Sequence, residues 1–181
     1  MRDEDLEARI RRLEDRAELG ELVARYGRLL DDRDVDGLAA LYTADAVFDS
    51  TDGPMTGRDA VMGYYRRQLD RYGMTYHYPH SHTIEFTGPD DATGVVSAHA
   101  ELAILPTPFV VALRYLDVYR REDGCWRFVS RRALQLYAAP LAELPDVLAG
   151  TLRRRWPGTE PATADIPESL PTWQAYERAR A

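Results

Sequence analysis

The chain has 181 residues, 45% apolar and 29% charged, which suffices for one domain with a substantial core and excludes a disordered, collagen-like or disulfide-built chain. Its 23 basic and 30 acidic residues leave a net charge of −7, which argues against binding phosphate backbones or anionic lipid. Cys125 is the single cysteine, no run approaches the roughly 18 apolar residues of a membrane span, and Met1 to Asp5 lacks a signal-peptide core, so a cytoplasmic protein is expected.

Residues 5–30 predict a helix. Leu6, Ile10, Leu13 and Ala17 recur at helical steps, and Leu19, Leu22, Val23, Tyr26 and Leu30 extend the stripe. Gly20 and Gly27 are the points where it could break. Asp34 suits the N-cap of a short second helix carrying Leu38, Leu41 and Tyr42. Ala46 to Asp49 follows as a strand, residues 51–54 as a turn and residues 58–71 as a third helix. From Thr75 onward the chain turns β-branched and aromatic. Strands are expected over Ser81 to Phe86, Thr93 to Leu105, Val110 to Tyr119 and Trp126 to Tyr137. Short Gly-, Pro- and Asp-rich turns between them imply antiparallel pairing.

The order α-α-β-α-β-β-β-β is an α+β pattern, a curled sheet with helices on one face. From Ala138 the composition changes. Pro140, Pro145, Pro157, Pro161, Pro167 and Pro171 exclude one long helix, while Leu141, Leu144, Trp156 and Trp173 argue against a free tail. The expectation is a domain over 1–137 and a wrapping segment over 138–181.

There is no Gly-rich phosphate loop, cysteine pair or nucleophile elbow. The polar residues set in apolar surroundings are Tyr26, Asp31, His77, His80, His82, His99 and Glu101, and they include all four histidines. A histidine beside a carboxylate makes a general acid–base pair, and a tyrosine hydroxyl can polarise a substrate oxygen. Asp31 also suits a helix terminator, and Tyr26 a core tyrosine. In a regular strand His80 and His82 alternate away from His77, which suits structural or interface roles. Alternation puts His99 and Glu101 on one face and Val96 and Ala98 on the other, and either face could line a cavity. Arg114 and Arg132 are strand arginines more suited to the surface. Tyr42, Phe48, Tyr64 and Phe109, with Tyr65 and Tyr76, fall on elements that would surround a cavity and suit a flat hydrophobic ring.

The run from Ala17-Glu18-Leu19 through Leu38-Ala39-Ala40-Leu41-Tyr42 to Ala46-Val47-Phe48 resembles SnoaL-like proteins of the nuclear-transport-factor-two-like superfamily. So do Gly57-Arg58-Asp59-Ala60-Val61 and Asp123-Gly124-Cys125-Trp126. Within it the chain looks most like the branch of scytalone dehydratase and the bile-acid dehydratase. Tyr26 and Asp31 match its Tyr-x-x-x-x-Asp spacing, and His77 fits its catalytic histidine. That branch's second histidine falls on the strand 93–105, where His99 is the only histidine, although an ungapped match puts Val96 there.

The resemblance implies a cystatin-like α+β roll, a cone-shaped mixed sheet wrapped around the N-terminal helices. It further implies a lyase or isomerase of dehydratase type that needs no cofactor or metal. The substrate would be a hydrophobic cyclic molecule such as a polyketide or steroid-like intermediate. His77 would be the base, Asp31 its orienter, Tyr26 the polarising group and His99 a second acid. Tyr42, Phe48, Tyr64 and Phe109 would contact substrate. A SnoaL-like cyclase, a ligand-binding module and a dioxygenase β-subunit-like scaffold are the alternatives. A homodimer or higher homo-oligomer is expected, because the outer face of such a sheet needs cover.

Overall fold

The computed structural model describes residues 3–180, so Met1 and Arg2 of the N-terminal stretch read above lie outside the described residues. Helix α1 (Asp3–Asp31) leads into α2 (Val35–Ala40), β1 (Tyr42–Ser50), β2 (Gly53–Thr56) and α3 (Arg58–Leu69). Four long strands follow: β3 (Thr75–Phe86), β4 (Asp91–Ile104), β5 (Thr107–Glu122) and β6 (Cys125–Pro140). They form one mixed six-stranded sheet in the order β2-β1-β6-β5-β4-β3. Only β1 and β6 pair in parallel; every other neighbour is antiparallel. Asp34 caps α2 as expected, accepting from the Gly37 main-chain N–H at 2.8 Å. The β5–β6 hairpin turns on Asp123 and Gly124, both at positive φ, as a two-residue Asp-Gly loop demands.

The core lies between the concave face of the sheet and the helices. Leu19, Leu22, Val23, Tyr26 and Leu30 of α1 are buried there with Val61, Tyr64 and Tyr65 of α3. The expected stripe is only half used, because Leu6, Ile10 and Leu13 remain exposed. Asp15, itself buried, pairs with Arg121 and accepts from the Trp126 indole, which pins the first half of the helix to the sheet.

Helix α1 does not break at Gly20 or Gly27. A Cβ on Gly27 would stand 3.1 Å from the His77 Cβ. The glycine therefore lets the helix pass close to β3, which offsets its poor helix propensity.

Besides an irregularity between Tyr42 and Val47 of β1, three β-bulges in the long strands set which side chains face inward. One lies at His80, where Pro79 pairs with Ala98 but Ser81 pairs with Ser97. The others lie in β6, at Val129 and at Leu136. Each extra residue reverses the in–out alternation beyond it.

After β6 the chain continues through a 3₁₀ turn (Leu141–Glu143), α4 (Leu144–Ala149), a small ribbon of β7 (Leu152–Arg153) and β8 (Ala162–Thr163), and α5 (Pro171–Arg180). Between α4 and α5 the chain lies along β6. The Ala138 N–H donates to the Arg154 carbonyl at 2.7 Å, Ala164 and Ile166 are buried, and Trp156 packs on the core.

Candidate active site

Asp31 closes α1 and His77 stands in the first turn-length of β3, directly across the gap that Gly27 narrows. Both carboxylate oxygens of Asp31 are used by His77. The ring Nδ1 lies 2.6 Å from Oδ1, and the His77 main-chain N–H donates to Oδ2 at 2.8 Å. Burial alone would raise the Asp31 carboxyl. The ring and main-chain bonds from His77, with its charge, outweigh that and hold it below the usual carboxylate range. An ionised carboxylate only accepts, so Nδ1 carries a proton, and in the neutral form of the ring Nε2 is the nitrogen whose lone pair is left for a ligand. Asp31 thus serves neither as a helix terminator alone nor as the cap of α2, which Asp34 supplies.

His77 lines a pocket between the sheet and the helices. Its empty space is about 620 Å³ with the open mouth included. Phe48, Tyr64, Tyr65 and Trp156 supply aromatic wall. Tyr26 also lines it and stands edge-on to the His77 ring, with centroids 6.2 Å apart. A chain of phenols runs inward: Tyr26 and Tyr65 hydroxyls are 3.2 Å apart, and Tyr65 and Tyr42 hydroxyls 2.8 Å. Burial pushes the Tyr42 and Tyr65 hydroxyls well above the usual phenol range, so both stay protonated.

Behind Tyr26 sits a group that in–out alternation hides. Arg131 is fully buried and grips Asp117 with a two-pronged bond, Nε to Oδ1 at 2.8 Å and Nη2 to Oδ2 at 2.7 Å. Its guanidinium carbon lies 4.1 Å from the Tyr26 ring centre and 4.2 Å from those of Tyr115 and Phe128. Burial opposes the charge, but Asp117 more than compensates, so Arg131 stays a cation. Its Nη1 has no hydrogen-bond partner among the described residues. The residue borders a small void that it shares with Tyr26, His77 and Val96.

Several expected positions differ. His99 is not in the pocket: β4 has no bulge, so Val96 and Ala98 face inward and His99 faces out. There its Nδ1 meets the His80 Nε2 at 2.7 Å, and burial followed by the nearby His80 lowers its pKa. His82 does not turn away from His77, because the bulge at His80 returns it to the concave side. It lies 3.0 Å from the Tyr119 hydroxyl, which donates to Asp117 at 2.8 Å. Gly94 makes this possible, since a Cβ there would stand 2.7 Å from His82 Nε2. Tyr42 acts behind the wall through Tyr65 rather than lining the pocket, Phe109 packs on the core, and Tyr76 is exposed. Among the described residues no three His, Cys, Asp or Glu side chains are grouped to hold a metal ion, and no helix is long and apolar enough to cross a membrane.

The same architecture recurs in solved structures. The chain is 25% identical to LinA, a hexachlorocyclohexane dehydrochlorinase, over 74% of this chain and 93% of that one, with a TM-score of 0.70. It is 18% identical to a proposed scytalone dehydratase from Novosphingobium aromaticivorans, over 83% and 97%, with a TM-score of 0.69. It is 30% identical to an NTF2-like protein of cystatin-like fold from the same organism, over 72% and 88%, with a TM-score of 0.60. None of the curated proteins matches it. Residues 11–132 match the model of the SnoaL-like domain, and on that match and the cone of sheet around α1 the chain belongs to the SnoaL-like family.

Proposed function

We propose that this protein is an acid–base lyase or isomerase that acts on a hydrophobic cyclic small molecule, with elimination of water as its reaction. The observation that carries this reading is the 2.6 Å Asp31–His77 contact on the wall of an aromatic pocket. Free Nε2 of His77 removes a proton from a ring carbon. The C–H electron pair becomes the new double bond as the neighbouring C–O bond breaks. Tyr26 gives its proton to the departing oxygen, and the imidazolium proton restores the phenol. Asp31 stabilises the imidazolium while it lasts. The Arg131 cation, fixed behind Tyr26, favours the negative charge that builds on that oxygen. Each positioned acid or base supplies roughly 10²–10⁴-fold. A lyase among the structural relatives, LinA, supports elimination as the reaction class.

A panel of cyclic β-hydroxy ketones, followed by mass spectrometry for loss of water, tests the reading. Turnover should vanish in His77→Ala and persist in His99→Ala. Turnover that survives in the first, or dies in the second with the fold intact, would reject it. We propose association through the outer face of the sheet too. Tyr76, Tyr78, Val95 and Val118 are exposed on the outer face of the sheet and are the apolar side chains a second copy would cover there. Sedimentation should then give an assembly larger than the 20.6 kDa monomer, and a monomer at every concentration would refute it.

A further inference from the structure

Most polar groups around the pocket are already committed. Gln68 uses both ends of its amide, with Nε2 donating to Asp52 at 3.3 Å and Oε1 accepting from Tyr72 at 3.1 Å. The phenols of Tyr26, Tyr65 and Tyr42 bond one another. Two buried lining groups are different, Thr75 Oγ1 and Gln135 Oε1. The Thr75 hydroxyl acts on Asp31, whose carboxyl it helps to hold down, which leaves Gln135. It is only 4% exposed, it lines the pocket, and its Oε1 has no partner among the described residues. An unpaired buried amide oxygen is destabilising, so a native protein keeps one where something else completes it.

The backbone behind this amide is fixed with care. The Gln135 N–H donates to Asp165 Oδ2 at 2.9 Å, and its carbonyl accepts from the Asp165 N–H at 3.0 Å. Arg155 holds the same carboxylate at 3.3 Å, and its neighbour Trp156 lines the pocket beside Gln135. The side chain therefore rises from a clamped strand into a wall that is otherwise apolar here, with Leu113, Ala133 and Trp156 around it. An Oε1 atom can only accept.

We propose that Gln135 is the specificity-determining residue of the pocket, its Oε1 accepting a hydrogen bond from a second hydroxyl group on the ring substrate, apart from the group that leaves. The inference rests on the reading of this pocket as the substrate site, and it narrows the substrate class to rings that carry such a donor. A fully halogenated or hydrocarbon ring would leave the amide unpaired and bind poorly.

A matched pair of probes tests this, 2-naphthol and 2-methoxynaphthalene, by isothermal titration calorimetry with the full chain. The wild type should bind the naphthol at least about tenfold more tightly, the worth of one hydrogen bond. The preference should persist in His77→Ala, which removes the imidazole acceptor, and in Thr75→Val, which removes a hydroxyl, and disappear in the near-isosteric Gln135→Leu and Gln135→Met. Neither variant touches the main-chain bonds to Asp165. Equal binding of the two probes by the wild type, binding of neither, or a preference that survives both Gln135 variants would overturn the proposal. A Gln135-dependent preference without any loss of water from the cyclic panel would instead reject the lyase reading and leave this recognition standing.

Discussion

Asp31→Asn should lower kcat/KM by about 10²–10⁴-fold, the usual worth of a positioned base, without unfolding the protein. The carboxylate accepts at both oxygens, from the ring Nδ1 and from the main-chain N–H of His77. An asparagine has one acceptor and one donor end. One of the two contacts then becomes donor against donor, or the ring surrenders its Nδ1 proton and blocks Nε2 with it. Either way His77 is no longer an oriented, unprotonated base. The wild-type pair also predicts a pH dependence of stability. The folded carboxyl lies below its ordinary 3.8. Its contribution is therefore complete above about 3.8 and is lost as pH falls through the lower folded value. Asp31→Asn should flatten that acid limb in thermal melts at successive pH values. An unchanged acid limb together with unchanged turnover would show the pair to be ornamental.

Asp117→Ala should be the most destabilising single substitution in the core. It strands the fully buried Arg131 cation without the one carboxylate that pairs with it among the described residues and removes the carboxylate acceptor of the Tyr119 hydroxyl. Breaking a buried pair from one side costs about 3–5 kcal/mol, which for a chain of this size lowers the Tm by on the order of 10 °C. The double variant Asp117→Leu with Arg131→Met should recover most of that loss, because packed apolar groups replace a desolvated pair at little cost. It should stay inactive, having no cation behind Tyr26. Calorimetric melts of the three proteins decide the point. A single variant within 1 kcal/mol of wild type would mean that the three rings around Arg131 hold it without Asp117.

Local pattern carried much of this structure. Helical spacing located α1, α2 and α3, β-rich runs located the long strands, and Asp34 and the Asp123-Gly124 turn stood in the roles their chemistry suits. Alternation along β4, which has no bulge, correctly sorts Val96 from His99 once one face is known to be buried. What local pattern does not contain is the position of the bulges, because these are fixed by cross-strand register and not by the sequence of the bulged strand alone. Counting inward from Phe128 lands on Ser130 and Arg132; the extra residue at Val129 delivers Arg131 instead. The same device turns His82 inward. Gly27 misleads for a related reason: as a helix residue it weakens α1, and only the opposing His77 explains its presence.

The clamp between Gln135 and Asp165 divides labour along the chain. Asp31 and His77 lie inside the segment shared with the family, residues 11–132, whereas Gln135, Trp156 and Asp165 lie beyond it. Substitutions in the 150–170 stretch should therefore change what the pocket admits without touching the Asp31–His77 pair. Selectivity and proton transfer are thus separable in the chain, and chimaeras that exchange only the C-terminal strap are the natural route to altered selectivity.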